Sequence, residues 1–390
     1  MQPTPLDLHP DTLVPPQAIP AALPFDRPWL APLAGYTDLP FRLLCREYGA
    51  AVCCTEMVSA KGLVYHSPGT RDLLLTLPED QPAVVQLFGC EPDILRQAME
   101  PLLERGFRWF DLNMGCSVPK VTRTGCGAAM LKDIPNALTV ARAMIDMAGA
   151  GRVGFKIRLG WDAQQEVWLQ LAQGLQDAGA GWVTLHPRYA KQGFGGEARW
   201  SALRTLAEKM DIPVIASGDL FTAEDGIRCL RETGVSTVMY ARGAMQWPGI
   251  FAEHTRLWDA AQKADTQESA SNAGHTTEGG HTEKRTDSSA GHSTQTDSES
   301  ACPAQTNMAG TRPTQAAARA AIRDMIRRHA ALASAYSNER VALFKMRTFV
   351  PRYVHDLPGV RLLRQGLSAC MDWDTLNALL DSFLLHPDEH

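Results

Sequence analysis

The sequence predicts a (β/α)8 barrel followed by a small all-helical domain. Between residues 28 and 242, eight short runs rich in apolar and β-branched residues alternate with longer stretches of helical periodicity. Strands that alternate with helices are typical of a parallel sheet, and eight repeats within this length favour a closed barrel over an open sheet. A basic, helix-patterned region near the C-terminus predicts the second domain.

The predicted strands follow one another at regular intervals. They cover residues 28–34, 51–57, 83–88, 108–114, 153–158, 182–186, 213–218 and 236–242. Helical spacing that ends in a glycine predicts helices between them, at 92–106, 134–149, 165–179 and 222–234. We therefore expect the barrel domain at 28–260, after an irregular, proline-rich lead-in at 1–27.

Two further segments follow the predicted barrel. Residues 261–315 contain no aromatic residue and are dominated by Ser, Thr, Gly, Asp and Glu, so they bury too little apolar area to offset the entropy of ordering. We predict a disordered low-complexity insertion there. Residues 316–390 are predicted to be helical, and ten basic but only three acidic residues fall within 316–366. On a chain of net charge −5, such a patch favours a polyanionic partner, with a plain solvated surface as the alternative.

Composition excludes several classes of protein. The chain is 45% hydrophobic and 21% charged, as is usual for globular proteins, and no apolar run approaches the roughly 20 residues of a membrane helix. The N-terminus lacks the features of a secretory signal. Nine cysteines without regular spacing indicate neither a disulfide framework nor a zinc site. We expect a cytoplasmic protein with no membrane partner and no metal.

Polar residues recur where the predicted strands end, which is the face that carries the active site in such barrels. They are Glu56, Gln86, Asn113, Cys116, Lys156, Arg158, His186, Arg188, Ser217, Asp219 and Arg242. The loops after the last two strands often bind phosphate, and Gly218 and Gly243 would let the backbone approach it closely. For Lys156, a flavin and a salt bridge to Glu56 or Asp219 are alternative partners.

Short motifs in a fixed order give a more specific indication. They are PLAG at 32–35, EM at 56–57, VQLFG at 85–89, DLNMGC at 111–116, PKVTRTGCGAAML at 119–131, KIRLGW at 156–161, TLHPR at 184–188, VIASGD at 214–219 and ARGAM at 241–245. The series resembles the tRNA-dihydrouridine synthases, and the similarity resumes at 344–359. The resemblance implies a monomer with an FMN-binding barrel, a helical tRNA-binding domain, and NADPH or NADH as electron donor.

The resemblance also implies roles for individual residues. The FMN site would comprise Pro32, Leu33 and Ala34 through backbone, Gln86 at the flavin ring, Lys156 at its pyrimidine edge, His186 nearby, and Ser217, Gly218, Asp219, Ala241 and Arg242 at the ribityl phosphate. The tRNA site would comprise Asn113, Lys120, Arg158, Arg188, Lys345, Arg347 and Arg352. Ser117, Ser217 and Ala241 stand where the family more often has Pro, Asn and Gly.

The resemblance assigns Cys116 as the catalytic acid. Reducing the C5–C6 bond of uracil requires a hydride and a proton, and FMN would supply the hydride. A free thiol has a pKa of about 8.5, so it is protonated near pH 7 and can act as a general acid. Cys126 lies in the same glycine-rich loop and is the alternative donor.

Three other functions are compatible with parts of the sequence. An FMN barrel that oxidises or reduces a small molecule, as a dihydroorotate-type enzyme does, would not need the basic helical region. A cofactor-free barrel isomerase would use the phosphate loop but leave Cys116 without a task. A non-catalytic RNA-binding barrel protein would need neither Cys116 nor Lys156.

Overall fold

The computed structural model describes residues 21–273 and 315–385. It contains nine short strands, all paired in parallel. They are β1 (Trp29–Leu30), β2 (Val52–Cys54), β3 (Val58–Ser59), β4 (Ala83–Phe88), β5 (Phe110–Met114), β6 (Val153–Arg158), β7 (Trp182–His186), β8 (Val214–Ala216) and β9 (Thr237–Tyr240).

The strands close into a barrel of eight positions. Each strand from β4 to β9 pairs with the next, β9 pairs with β1, β1 with β2, and β2 with β4. Strand β3 continues the line of β2 beside β4, so two short strands share one position of the barrel. The predicted strand at 51–57 ends at Cys54, and β3 lies beyond its predicted end. The prediction of a (β/α)8 barrel is confirmed.

Helices surround the barrel and continue beyond it. They are α1 (Leu39–Glu47), α2 (Ala60–Val64), α3 (Pro92–Glu104), α4 (Pro119–Thr122), α5 (Ile134–Ala148), α6 (Trp168–Asp177), α7 (Trp200–Lys209), α8 (Ala223–Thr233), α9 (Arg242–Gln246), α10 (Ile250–Ala273), α11 (Gln315–Tyr336), α12 (Glu339–Tyr353), α13 (Val360–Ala369) and α14 (Trp373–Leu385). The four helices that the sequence predicted within the barrel correspond to α3, α5, α6 and α8.

The barrel interior differs between its two ends. At the amino end it is filled by apolar side chains, including Trp29, Trp109 and Trp182, which belong to a separate buried cluster. Along β5, Phe110 and Leu112 face the surrounding helices, whereas Asp111 and Asn113 alternate with them and face the interior. This alternation places polar groups at the carboxyl end of the barrel.

The helical domain packs against the first helix of the barrel. The ring of Phe349 on α12 lies 4.9 Å from that of Phe41 on α1 and 5.5 Å from that of Tyr36. His329 on α11 is buried in the same cluster and bonds through Nδ1 to the hydroxyl of Tyr353. These contacts place α12 beside the open end of the barrel.

One predicted boundary differs from the structure. Helix α10 continues to Ala273, although the irregular insertion was expected to begin at 261. Residues 261–273 include Ala, Gln, Lys and Glu, which favour helix, so a helix already started on the barrel extends through them. The rest of the predicted insertion, 274–314, lies outside the described residues, as do 1–20 of the lead-in and 386–390. Residues 21–28 contain neither helix nor strand.

Within 21–273 and 315–385, none of the helices combines the length and apolarity that crossing a bilayer requires. The same ranges contain no group of three or more His, Cys, Asp or Glu side chains arranged to hold a metal ion.

Candidate active site at the carboxyl end of the barrel

A cavity of about 260 Å3 opens at the carboxyl ends of the strands. Most of the predicted site residues line it. They are Pro32, Leu33, Ala34, Asn113, Cys116, Lys156, Arg158, His186, Ser217, Gly218, Asp219, Ala241 and Arg242. The residues that line the cavity therefore come from the ends of six strands, β1, β5, β6, β7, β8 and β9, as expected for the predicted barrel.

Cys116 lies on the cavity wall at the end of β5. Its backbone N–H donates to Oδ1 of Asn113 at 2.8 Å, and its carbonyl accepts from the N–H of Ala128 at 2.9 Å. Cys126 is buried and does not line the cavity, and its thiol donates to the carbonyl of Thr124. Of the two cysteines in this loop, only Cys116 is in a position to meet a molecule in the cavity.

Gln86 lies one layer beneath the cavity and does not line it. It is 1% exposed, its Nε2 donates to Oδ2 of Asp111 at 2.7 Å, and its Oε1 accepts from Nδ2 of Asn113 at 2.9 Å. Both ends of the Gln86 amide are therefore occupied by protein groups. The contact between Gln86 and a flavin ring stays a prediction.

Lys156 is half-buried on the cavity wall and donates to Oγ of Ser217 at 3.3 Å. The alternative salt bridges to Glu56 and Asp219 do not form: Glu56 accepts from the N–H of Gly35, and Asp219 pairs with arginines. Burial lowers the pKa of Lys156 to about 8, although the neighbouring carboxylate of Asp111 opposes the change. The side chain is a cation near neutral pH, and no carboxylate in the described part of the chain forms an ion pair with it.

Arg158 and Arg188 are buried at the barrel mouth and donate hydrogen bonds to protein groups. They are 4% and 2% exposed. Arg158 donates to the carbonyls of Gly115, Tyr189 and Gly193 at 2.8–2.9 Å. Both guanidinium groups are therefore engaged within the protein, and their contact with tRNA phosphates stays a prediction.

Arg188 is held by the same loop and by an acid. It donates to the carbonyls of Gly195 and Gly196, and its Nη2 lies 2.7 Å from Oδ2 of Asp219. Together with Arg158, it fixes the loop 189–196 over the cavity. The consequence is that Phe194, which is 65% exposed, lines the cavity mouth.

The phosphate side of the predicted site is tightly packed. Gly218 has a φ of +109°, and a Cβ there would come within 2.6 Å of the His186 ring. Arg242 lies 4.9 Å from the ring centre of Phe194, 4.6 Å from that of Phe221 and 3.5 Å from Oδ1 of Asp219. The cation is thus held at the mouth between two aromatic rings.

His186 is buried, with Nε2 3.3 Å from Nη1 of Arg188. Burial, reinforced by the cations Lys156 and Arg158, lowers its pKa far below the ordinary value. The imidazole is therefore neutral at physiological pH, so it offers hydrogen bonds but no charge to the cavity.

The four predicted tRNA-binding cations outside the barrel interior have different surroundings. Lys345 pairs with Asp38, and Arg352 donates to the hydroxyl of Tyr36, so both bridge α12 and the barrel rim. Arg347 lines a wide groove of about 1020 Å3 between the rim and α12. Lys120 is exposed on α4 and does not line the cavity.

Several residues of the site were not predicted. Phe194 and Phe221 lie in loops, and the glycines around Phe194 in QGFGGE give no indication that it folds over the cavity. Asp111 could have been found, because strand alternation puts it on the same face as Asn113. The apolar remainder of the lining comprises Ala31, Met57, Val118, Ile157, Leu220 and Met239.

Comparison with known proteins gives consistent matches. A family model described as dihydrouridine synthase matches residues 29–296. A probable tRNA-dihydrouridine synthase 1 from Synechocystis sp. is 38% identical over 234 residues, which is 60% of this chain and 65% of that protein. A probable tRNA-dihydrouridine synthase from Treponema pallidum is 34% identical over 238 residues, which is 59% of this chain and 70% of that protein.

Other matches are more distant. The tRNA-dihydrouridine synthase B of Shewanella oneidensis is 33% identical, over 60% of this chain and 72% of that protein. The matched region spans 65–72% of the length of these three relatives. Among solved structures, an old yellow enzyme homologue from Zymomonas mobilis aligns with a TM-score of 0.42 at 13% identity, over 60% of this chain and 89% of that chain.

Proposed function

Because the chain belongs to the dihydrouridine synthase family, we propose that it reduces the C5–C6 double bond of uridines in tRNA to 5,6-dihydrouridine. FMN is the cofactor in this proposal, and NADPH or NADH is the electron donor. The observation that carries it is the position of Cys116, whose half-buried thiol lines the same cavity as Lys156 and Arg242.

The residues present fit a flavin mononucleotide. Apolar side chains such as Leu33, Met57 and Met239 suit a flat ring system, and two cations, Lys156 and Arg242, line the same cavity. Lys156 suits the electron-rich pyrimidine edge and Arg242 suits the phosphate. Gly218 is packed so closely on His186 that the backbone, rather than a side chain, faces the cavity there.

The protein's own part of the chemistry centres on the cysteine. When bound, FMN would supply the hydride for C6 of the uracil ring. The thiol of Cys116 would donate its proton to C5 as a general acid, and the resulting thiolate would regain a proton from solvent. Asn113 holds the backbone of Cys116 through Oδ1, which keeps the thiol at the cavity wall.

The position of the helical domain supports the proposal that tRNA is the substrate. Arg347 and Arg340 line the groove between the barrel rim and α12, next to the cavity residue Ala34. Cations in such a groove can bind the phosphate backbone, while a target base turned out of its stack enters the cavity. The small-molecule alternative gives this groove no task.

The test uses flavin-loaded protein, NADPH and an unmodified tRNA transcript. We expect a yellow protein that releases FMN on heating, and dihydrouridine in the tRNA detected by mass spectrometry. Cys116→Ala should keep flavin reduction by NADPH but lose dihydrouridine formation by about 10²–10⁴-fold, the usual contribution of general acid catalysis.

Cys126→Ala is the matched control, because this cysteine lies in the same loop but outside the cavity. It should behave like the parent in both steps. FAD in place of FMN would overturn the cofactor assignment. Equal dihydrouridine formation by the parent and Cys116→Ala would refute the role of the cysteine, and none from the parent would refute the proposed reaction.

A further inference from the structure

A buried carboxylate lies beneath the cavity without an assigned role. Asp111 is 2% exposed and faces the barrel interior two residues before Asn113 on β5. Its Oδ2 accepts from Gln86, whereas Oδ1 is buried without a hydrogen-bond partner among the described residues. Burying a carboxylate with one oxygen unsatisfied is unfavourable, so its presence calls for a physical explanation.

A chain of hydrogen bonds leads from this carboxylate to the cysteine. An ionised carboxylate can only accept, so Gln86 must turn its NH2 group toward Asp111. The carbonyl oxygen of Gln86 then accepts from Nδ2 of Asn113 at 2.9 Å. This leaves Oδ1 of Asn113 to accept from the backbone N–H groups of Cys116 at 2.8 Å and Gly115 at 3.2 Å.

The direction of each amide in this chain depends on the one before it. A side-chain amide has an accepting end and a donating end, and two backbone N–H groups can be satisfied only by the accepting end. If Gln86 turned over, Asn113 would have to present its NH2 group to the N–H groups of Gly115 and Cys116. The carboxylate of Asp111 fixes the orientation that avoids this conflict.

We propose that Asp111 is a positioning residue for the cysteine loop, holding the backbone at Gly115 and Cys116 through the ordered amides of Gln86 and Asn113. It acts through these groups and does not itself line the cavity. The hydrogen-bond chain is inferred from the distances between these side chains and the backbone alone. Its importance for proton donation rests on the proposed function.

The charge of Asp111 depends on burial and on its neighbours. Lys156 on β6 is the cation that favours the ionised form, and Asp111 in turn raises the pKa of the buried thiol of Cys54 on β2. Burial raises the pKa of Asp111 to about 7, while the hydrogen bond from Gln86 and the charge of Lys156 oppose the change. A protonated Asp111 could donate a hydrogen bond to Gln86 instead of accepting one. On acidification, Asp111 would then no longer hold the amides of Gln86 and Asn113 in a single orientation.

Amide hydrogen exchange tests the positioning without any catalytic turnover. In the flavin-loaded parent, a peptide that covers 113–118 should be protected at pH 8. At pH 6, after correction for intrinsic rates, its protection should fall at least threefold relative to peptides from β6 and β7. In Asp111→Asn, the amides of this peptide should exchange at least tenfold faster than in the parent at pH 8. Their protection should not fall further at pH 6.

Thr184→Val provides the matched control. Thr184 is fully buried on β7, and its Oγ1 also lacks a hydrogen-bond partner among the described residues. The variant should exchange the 113–118 peptide like the parent. Equal protection in the parent and Asp111→Asn would overturn the proposal, as would a uniform loss over the whole barrel, which would indicate general destabilisation.

A kinetic measurement separates this proposal from the proposed function. Asp111→Asn should leave flavin reduction by NADPH within twofold of the parent but slow flavin re-oxidation by tRNA at least tenfold. Re-oxidation at the parent rate would refute the link to catalysis. If the parent itself does not re-oxidise on tRNA, the proposed function fails, while the exchange measurement still decides whether Asp111 orders the loop.

If Asp111→Asn does not fold, a second variant tests the same chain of hydrogen bonds. Gln86→Met breaks the next link of the chain and leaves Asp111 in place. It should also raise exchange of the 113–118 peptide at least tenfold at pH 8. Protection that is unchanged both by Gln86→Met and by pH would refute the proposal.

Discussion

The barrel mouth and the helical domain hold their cations in opposite ways. Arg158 and Arg188 at the mouth are almost fully buried and donate to backbone carbonyls and to Asp219. On the helical domain, Arg340 and Arg347 line an open groove, and no carboxylate within the described ranges forms an ion pair with either. The first pair builds the site, whereas the second is available to a partner.

A count of charged residues does not show which of them already have partners within the protein. Ten basic residues between 316 and 366 indicated a polyanion-binding surface, yet many of them have partners within the protein. Arg319 donates to the carbonyl of Phe383, and the paired residues with their acids are Arg323 with Asp324, Arg327 with Asp381, Arg328 with Glu47, and Lys345 with Asp38. The surface offered to a partner is therefore smaller than the sequence suggests.

Breaking the contacts of Arg188 should have the largest effect on stability. Arg188→Met removes the buried cation from Asp219, which keeps the N–H of Ala198 and the more distant Arg242, and it removes the donor to the carbonyl of Gly196. Removing one partner of a buried pair costs about 3–5 kcal/mol, and we expect about 3 kcal/mol because Asp219 is 26% exposed. Urea unfolding measures this change in the free energy of unfolding.

Arg340→Met is the control for that experiment, because its side chain is exposed on α12. It should change stability by less than about 0.5 kcal/mol, as surface substitutions usually do. Equal costs for the two variants would remove the distinction between the barrel mouth and the helical domain.

Acid should weaken both regions through a shared feature. His254 in the barrel bonds to the hydroxyl of Tyr240, and His329 in the helical domain bonds to that of Tyr353. Burial lowers the pKa of each histidine to about 4. Between pH 6.5 and 4 the unfolded chain binds more protons, so stability is lost as the pH falls through this window.

Replacing either histidine with Gln should remove part of this dependence, because Gln can bond to a tyrosine hydroxyl but does not titrate. Each histidine accounts for up to about 1.4 kcal/mol per pH unit inside the window. The measurement is the urea midpoint at pH 7, 6 and 5. A double variant with the same pH dependence as the parent would show that these histidines are not responsible.

Removing the groove cations should affect RNA binding and not stability. Each ion pair with a phosphate contributes about 0.9 to the slope of log K against log salt on duplex, or about 0.7 on single strands. Arg347→Gln should therefore flatten the salt dependence of tRNA binding by about that amount. Arg352→Gln should flatten it less, because Arg352 is held by Tyr36.

Binding titrations at several salt concentrations, with flavin reduction by NADPH as a check on the site, measure this difference. Arg327→Gln is the matched control, since Arg327 pairs with Asp381 on the same domain. A larger decrease in slope from Arg327 or Arg352 than from Arg347 would show that the groove is not where tRNA lies.

Much of the barrel could be predicted, since its strands are marked by apolar runs and its polar residues by their position at strand ends. Asn113, Lys156 and His186 reached the cavity because strand alternation and barrel closure together determine where a side chain points. The interruption between β2 and β3 gave no such signal. Neither did the extension of α10, because residues 261–273 favour helix only as the continuation of one already formed.

The rest of the site depends on contacts that leave no trace in sequence pattern. Arg158 and Arg188 both donate to backbone carbonyls of the loop 189–196, and any residue type carries a carbonyl. The sequence alone therefore gives no sign that Arg158 is engaged within the protein. The chain from Asp111 to Cys116 is similar, because it depends on the direction of two amides and not only on residue identity.

The exposed pair between Arg328 and Glu47 should show the smallest effect and is the sharpest test of the comparison. It joins α11 to α1 across the two domains, but its side chains are 53% and 40% exposed. Exposed ion pairs contribute about 0.2–1 kcal/mol, and salt screens them. A double-mutant cycle with Arg328→Gln and Glu47→Gln should therefore give a coupling below about 1 kcal/mol that falls in 0.5 M NaCl. A coupling near the cost of Arg188→Met, unchanged by salt, would mean that cations of the helical domain build structure as those of the barrel mouth do.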